Sequence, residues 1–565
     1  MSLVKQWRYL LITLLAIVAL VAVAACNDDD DGGDDPTDTP AASETDAPVA
    51  GGEITIHTTE PESLDPHFAD FSVDITIIQM INRGLYDILP GGVLRPAYAS
   101  ALPTVSDDGL TYTIPIKAGM TWADGETLDA NDFVAGIQRT CSPAVAGNYS
   151  YILTSDGIEI SGCADYLGST DASAEEQETL RQAVGVRAVD DLTLEITLPA
   201  QRPTFKSVLA LWMTYPMPDE SLTSVDADWP APPNTPCNGP FCVTEWVAGD
   251  HLTLVKNESY GLTPEASLDT ITLRIIDDFS TALQAYDAGE IDMIRLGTVD
   301  LPLVRDRADY VPQALPITIG LEFMMEDAVL SNENVRLALT RAIDRELMND
   351  VVFSSAHIPT TNWVPSEEPG ANALGAFESA IGFDAAAAQQ AMTDAGFPGG
   401  DGFPGLEILM RDDETEKTFG AFLQEQFLTI LGIDLTVTIL DSQTRQEKFN
   451  SSDFQLLIGG WGHDYADAEN WLLGLYETGA SINKQLCSVP GIDAALTQAK
   501  AETEDAPRWA QLQEAERLVV EGTCGIAPLY HRGNHYMISP DLGGVSPTLE
   551  DHFMPQFPED WFLNS

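Results

Sequence analysis

One short segment concentrates side chains suited to holding a ligand. Gly459-Gly460-Trp461-Gly462-His463-Asp464-Tyr465 follows an apolar run, Phe454 to Ile458, that reads as a strand. Its glycines let a backbone and a ligand approach closely, while Trp461 and Tyr465 offer flat apolar walls. Groups that break bonds are missing from the patterns that usually carry them. There is no GxSxG elbow, HExxH helix, Walker loop or helix-opening GxGxxG. Ser481-Ile482-Asn483-Lys484 fits SxxK, but Lys417-Thr418 is followed by Phe419 rather than glycine and no SDN accompanies it. His531 and His535 lie four apart without a carboxylate and read as ordinary side chains. The expectation is a non-enzyme with no cofactor and no metal.

Cysteine usage points to export. Lys5 and Arg8 precede an apolar run from Tyr9 to Leu20, and Val23-Ala24-Ala25 sets small residues directly before Cys26. A retained membrane span is the competing reading, but small residues before a cysteine suit a lipoprotein signal peptide over residues 1–25 with Cys26 lipidated. Asn27 to Ala50 then carries nine acids and no base. Such a composition buries no core and repels itself into an extended tether. The other cysteines are Cys141, Cys163, Cys237, Cys242, Cys487 and Cys524. An even number in an exported chain reads as disulfides, and the spacing suggests local clips at 141/163, 237/242 and 487/524.

Charge excludes one class of partner. The 565 residues hold 27 basic and 88 acidic side chains, a formal net charge of -61, so the surface repels phosphate backbones. With 44% hydrophobic residues, the chain still has material for several cores.

The elements that must position the glycine-rich segment alternate in type. Strands are expected at 53–58, 111–116, 193–198, 252–255, 270–276, 405–410 and 434–440. Helices are expected at 73–84, 130–139, 281–288, 334–349, 384–395, 416–431, 490–501 and 506–521. Asp108-Gly109 and Asp124-Gly125 read as turns. On the helix 334–349, Arg336 and Arg345 read as ion-paired flanks. The chain is a mixed α/β protein without a repeat of 20 to 50 residues.

A string of motifs in one order carries a resemblance. Leu64-Asp65-Pro66, Leu94-Arg95-Pro96-Ala97-Tyr98-Ala99, Asp107 to Thr113, Trp122-Ala123-Asp124-Gly125 and Ala130-Asn131-Asp132-Phe133-Val134 come first, with Arg139 and Pro143 beyond them. Asn238-Gly239-Pro240-Phe241 with Glu245-Trp246, Lys256-Asn257 with Tyr260, Ala288 to Asp292, Val335 to Leu339 and Ala342 to Arg345 follow. From about Gly52 to Trp561 the chain resembles the family 5 extracellular solute-binding proteins, the peptide-binding components of ABC importers.

The resemblance implies an α/β, two-lobed periplasmic-binding-protein-like fold with an extra inserted subdomain in the first lobe. The first lobe would comprise 52–85, 199–316 and 525–565, the inserted subdomain 86–198, and the second lobe 317–524, after the signal peptide 1–25 and an acidic linker 26–51. It implies capture of peptides in the interlobe cleft, partners in an ABC permease and ATPase, a lipid anchor on the extracytoplasmic face, and a monomer. A nickel chelate, an oligosaccharide or another small solute is the alternative ligand, and an exported hydrolase the distant one. By motif position Asp464 would take a peptide's ammonium, with Gly460, Trp461, Gly462, His463 and Tyr465 around it. Asp70, Phe71 and Ser72 would run along the ligand. The segment departs from the family pattern at His463, where alanine is usual, and at Ala466 and Ala468. Arg411 and Arg445 are the candidates for a ligand carboxylate.

Overall fold

A computed structural model describes residues 48–89, 92–154, 158–218, 229–547 and 554–564. The signal segment, Cys26 and all but the end of the linker expected over 26–51 lie outside the described residues.

A mixed sheet runs through the molecule. Its strands follow one another in the order Leu435–Leu440, Leu406–Arg411, Leu456–Gly462, Tyr310–Phe323, Ile526–Ile538, Met293–Arg295, Glu53–Thr58, Thr270–Ile275, His251–Lys256 and Phe241–Val247. The two central strands are long, 14 and 13 residues, and antiparallel. Tyr310 to Ala314 pairs with Met537 to Gly533, and Thr318 to Glu322 pairs with His531 to Ile526. Between these ladders the register shifts across Leu315, Pro316 and Ile317. Pro316 has no N–H to give a ladder, so the break falls where the sequence removes a donor.

Apolar clusters sit on either side of this break. One gathers Ile54, Ile56, Met80, Phe241 and Leu273 around the strands beyond Met293–Arg295. Another gathers Leu321, Phe323, Leu339, Ile408, Phe427 and Leu456 on the opposite side. The two long strands thread from one to the other.

A separate sheet pairs Thr104–Val105, Thr111–Pro115, Thr193–Thr197 and Val186–Asp190 in that order. Tyr112 and Ile114 alternate inward with the period of a half-buried strand. Gly109, at φ 70°, makes the turn before that strand, and its N–H donates to Ser106 O at 2.8 Å. Asp129 caps the following helix, Ala130–Thr140, in a reciprocal box with Asp132.

The helix expected over 334–349 is two, Glu333–Arg341 and Arg345–Phe353. Asp344 ends the continuity because its side chain accepts the Leu347 N–H and starts a new helix. Arg336 and Arg345 are not ion-paired flanks. Both are buried and donate to carbonyls, Arg336 to Thr523 O, Leu330 O and Gly522 O, Arg345 to Pro528 O and Ile381 O. The expected helix 416–431 starts earlier, at Glu414, and its last turn, Phe427–Leu431, widens before Gly432 ends it.

The cysteines pair as 141/163, 237/242 and 487/524. The last clip ties the approach to helix Pro490–Ala501 to the residue just before the long strand Ile526–Ile538.

Candidate ligand-binding cleft

The glycine-rich segment is the end of strand Leu456–Gly462 and the loop after it. Gly460 stands opposite Ile319 and Gly462 opposite Ile317 on the long strand. A Cβ at 460 would overlap Thr318 O, so glycine permits this strand pair. Trp461 Nε1 donates to Asn470 Oδ1 at 3.1 Å. His463 is buried against Glu368, Nδ1 to Oε1 at 2.6 Å, and fixes the loop.

Asp464 is buried too. Its Oδ2 accepts from Tyr151 Oη and Asn470 Nδ2, each at 3.1 Å, and its N–H donates to Asn470 Oδ1 at 2.9 Å. Burial pushes its carboxyl up to about 6, against the bonds from Asn470 and Tyr151. The Tyr151 bond joins distant parts of the chain, and Tyr465 packs in a cluster otherwise drawn from residues 69–262. The loop is therefore docked across the molecule.

Two cavities meet at Gly460 and Trp461. The first, about 500 Å³, is lined by Asp70, Phe71, Tyr149, Tyr151, Tyr476 and Trp461 among others. Asp70 accepts from Asn148 Nδ2 at 2.6 Å, and Phe71 is 50% exposed, a flat face open to a solute. Ser72 opens the helix Ser72–Ile81 and lines a smaller hollow of about 50 Å³ with His463, Asp464 and Tyr465. The segments singled out by the sequence thus converge, with Asp464 beside the larger cavity rather than in its wall.

The second cavity, about 620 Å³, holds a group that sequence reading missed. Arg295, Arg411 and Arg532 all line it, with His357 and His535. Arg411 pairs with Glu416, 3.0 Å apart, whereas no ion pair of Arg532 occurs among the described residues. Burial and the neighbouring Arg532 pull Arg295 down to about 10, and burial lowers Arg532 as well, chiefly through desolvation. These cations converge from strands 293–295, 406–411 and 526–538, elements remote in sequence. Arg445 lies elsewhere, buried and donating to Ile458 O.

The pattern described as bacterial extracellular solute-binding proteins, family 5 Middle, matches residues 93–483. The chain belongs to this family. Among curated relatives, the probable deoxycholate-binding periplasmic protein YgiS of Escherichia coli K12 is 27% identical over 86% of this chain and 89% of its own. The oligopeptide-binding protein OppA of Bacillus subtilis 168 is 26% identical, covering 90% of this chain and 91% of its own. Among solved structures, Listeria monocytogenes OppA bound to peptide superposes with a TM-score of 0.74 at 25% identity, covering 91% of this chain and 99% of that one. The family fold has two lobes, and here the two long strands join them.

Proposed function

We propose that this solute-binding protein captures peptides between its lobes and delivers them to an ABC permease. The observation that carries the reading is the charge arrangement along the joined cavities: buried Asp464 beside one, Arg295 and Arg532 in the wall of the other, aromatic faces between. A peptide's ammonium would meet Asp464 and its carboxylate the arginines, with Trp461 and Phe71 against the chain between them. The names of two relatives, oligopeptide-binding proteins, support the same ligand class.

In this reading residues 52–85, 199–316 and 525–565 form one lobe, 86–198 its inserted subdomain and 317–524 the other lobe. Closure would bend the long strands where their ladder breaks, near Pro316 and Arg532. A ligand bonded to both lobes favours the closed form, and that form engages the permease. Cys26 would anchor the protein on the extracytoplasmic face. Membrane fractionation of a Cys26→Ser variant checks the anchor, which is refuted if the mature variant stays with membranes.

Calorimetry tests the ligand. A charge-assisted hydrogen bond in a dry site contributes roughly 1.5 to 3 kcal/mol, so Asp464→Asn weakens free-amine peptides by about tenfold to a hundredfold. N-acetylated peptides bind the wild type more weakly by a similar factor and lose little on mutation. Native affinity in a folded Asp464→Asn protein overturns the assignment. A second reading rests on the arginine cavity, whose walls include Phe279, Phe353 and Phe419. Such a surface also suits an anionic amphiphile, in keeping with the bile acid in the name of one relative. Binding of deoxycholate in place of peptides would favour it.

A further inference from the structure

The 500 Å³ cavity contains two buried acceptors with no donor. Glu322 is 3% exposed and Gln485 4% exposed, and both line the cavity. Glu322 Oε2 and Gln485 Oε1 have no hydrogen-bond partner in the structure. Glu322 cannot swing away, because its residue is fixed in the long strand between Leu457 and Ile526 on its two neighbours. The carboxylate fills the space that a side chain at 459 would take, since a Cβ on Gly459 would overlap its oxygen.

A buried, half-bonded carboxylate is costly when ionised unless a cation meets it. The charged groups around Glu322 do not supply one at its free oxygen. Arg445, the nearest cation acting on it, spends its guanidinium on the carbonyls of Leu409 and Ile458. Lys484 and Asp70 stand elsewhere on the cavity wall, and Tyr476 is a buried, neutral neighbour. Burial accordingly holds the Glu322 carboxyl up to about 8, protonated at neutral pH while the cavity is empty of ligand. The aromatic walls Trp363, Trp461 and Tyr476 complete surroundings that suit a cation.

We propose that Glu322 and Gln485 form a second cation-accepting subsite, which binds an ammonium or guanidinium group of the solute by exchanging the Glu322 proton for it. The carboxylic acid O–H bond breaks, the proton passes to solvent, and the carboxylate left behind pairs with the incoming cation, so charge in the cavity is unchanged. This rests on the peptide reading of the cleft for its natural source, a lysine or arginine side chain or the terminal ammonium. It makes the site selective for basic solutes, a property absent from a cleft that bonds only main chain.

Calorimetry at pH 7 in two buffers of different ionisation heat measures the proton directly. The probes are Ala-Ala-Ala, Ala-Lys-Ala, N-acetyl-Ala-Lys-Ala and n-butylguanidinium. Wild-type protein is expected to release close to one proton with both lysine peptides. Glu322→Gln, nearly isosteric, is expected to abolish the release and cost tenfold or more in affinity for them, with less than threefold loss for Ala-Ala-Ala. Release that follows the free terminal amine instead, present with Ala-Ala-Ala and absent after N-acetylation of the lysine peptide, keeps the subsite and names the terminal ammonium as its ligand, in which case Ala-Ala-Ala shares the loss. Butylguanidinium separates the two readings. Proton release on its binding without any peptide affinity would refute the peptide function and keep the subsite. Peptide binding with no proton release, or release that persists in a folded Glu322→Gln protein, overturns the subsite, as does a wild type that binds none of the probes.

Discussion

Arg508 shows how much the binding loop depends on one buried side chain. It is 3% exposed and bonds Asp467 at 2.5 Å and Glu469 at 3.1 Å, just past the loop that carries Asp464. Truncation to Met leaves two buried carboxylates without their cation, a change that typically costs about 3 to 5 kcal/mol. Arg508→Met is therefore expected to lower the thermal midpoint clearly and Arg508→Lys to lower it less. An unchanged midpoint in the Met variant would show the cluster to be energetically idle. Residues of this kind are hard to see in sequence. Asp464, Trp461 and Gly460 stand together in a motif and were legible as a ligand-facing group. Glu322, Gln485, Arg295 and Arg532 come from separate strands and loops, each looks like an ordinary charged or polar position, and only the sheet brings them to the cavities. A hint existed for Glu322 alone, an acid inside the apolar run Gly320 to Met325.

At the scale of elements, local chemistry was the readable part. Strands 53–58 and 270–275 and helix 490–501 fall where β-branched alternation and 3.6-residue spacing put them. The split at Asp344 was missed because the apolar face continues across it through Ala342, Ile343 and Met348, while the cap interrupts only the backbone. The long strands 310–323 and 526–538 went unread for a different reason. Their burial is nearly continuous on both faces near Leu321 and Phe323 and near Ile526 to Tyr530, so alternation, the usual mark of a strand, is lost. Pro312, Pro316 and Pro528 further disguise them, being tolerated only because the register shifts or an edge is free nearby.

For the whole molecule, buried ionisable groups set a pH response. Burial holds Asp74 and Asp464 at about 6, Glu516 at about 7 and Glu322 at about 8. The unfolded chain releases those protons near pH 4, so the folded state binds more protons above that and stability falls as pH rises. His67 and His531, held down at about 4, and His357, at about 3, act oppositely below about pH 6.5. The two sets offset each other on the acid side, and above about 6.5 only the carboxylates act. The thermal midpoint of unliganded protein at fixed ionic strength is expected to be lower at pH 8 than at pH 6.5. An equal or higher value at pH 8 would contradict the retained protons.

The two long strands belong to one hydrogen-bonded sheet that continues into both lobes. A sheet is stiff to stretching and shear but soft to twist, so the lobes share a torsion spring rather than a slack tether. Rotation at one end must then alter the pleat around Gly460 and Trp461 at the other, since these sit on the strand hydrogen-bonded beside the break. The cleft and the joint are thus one mechanical part, and a residue that sets the strand's twist also sets the shape of the seat.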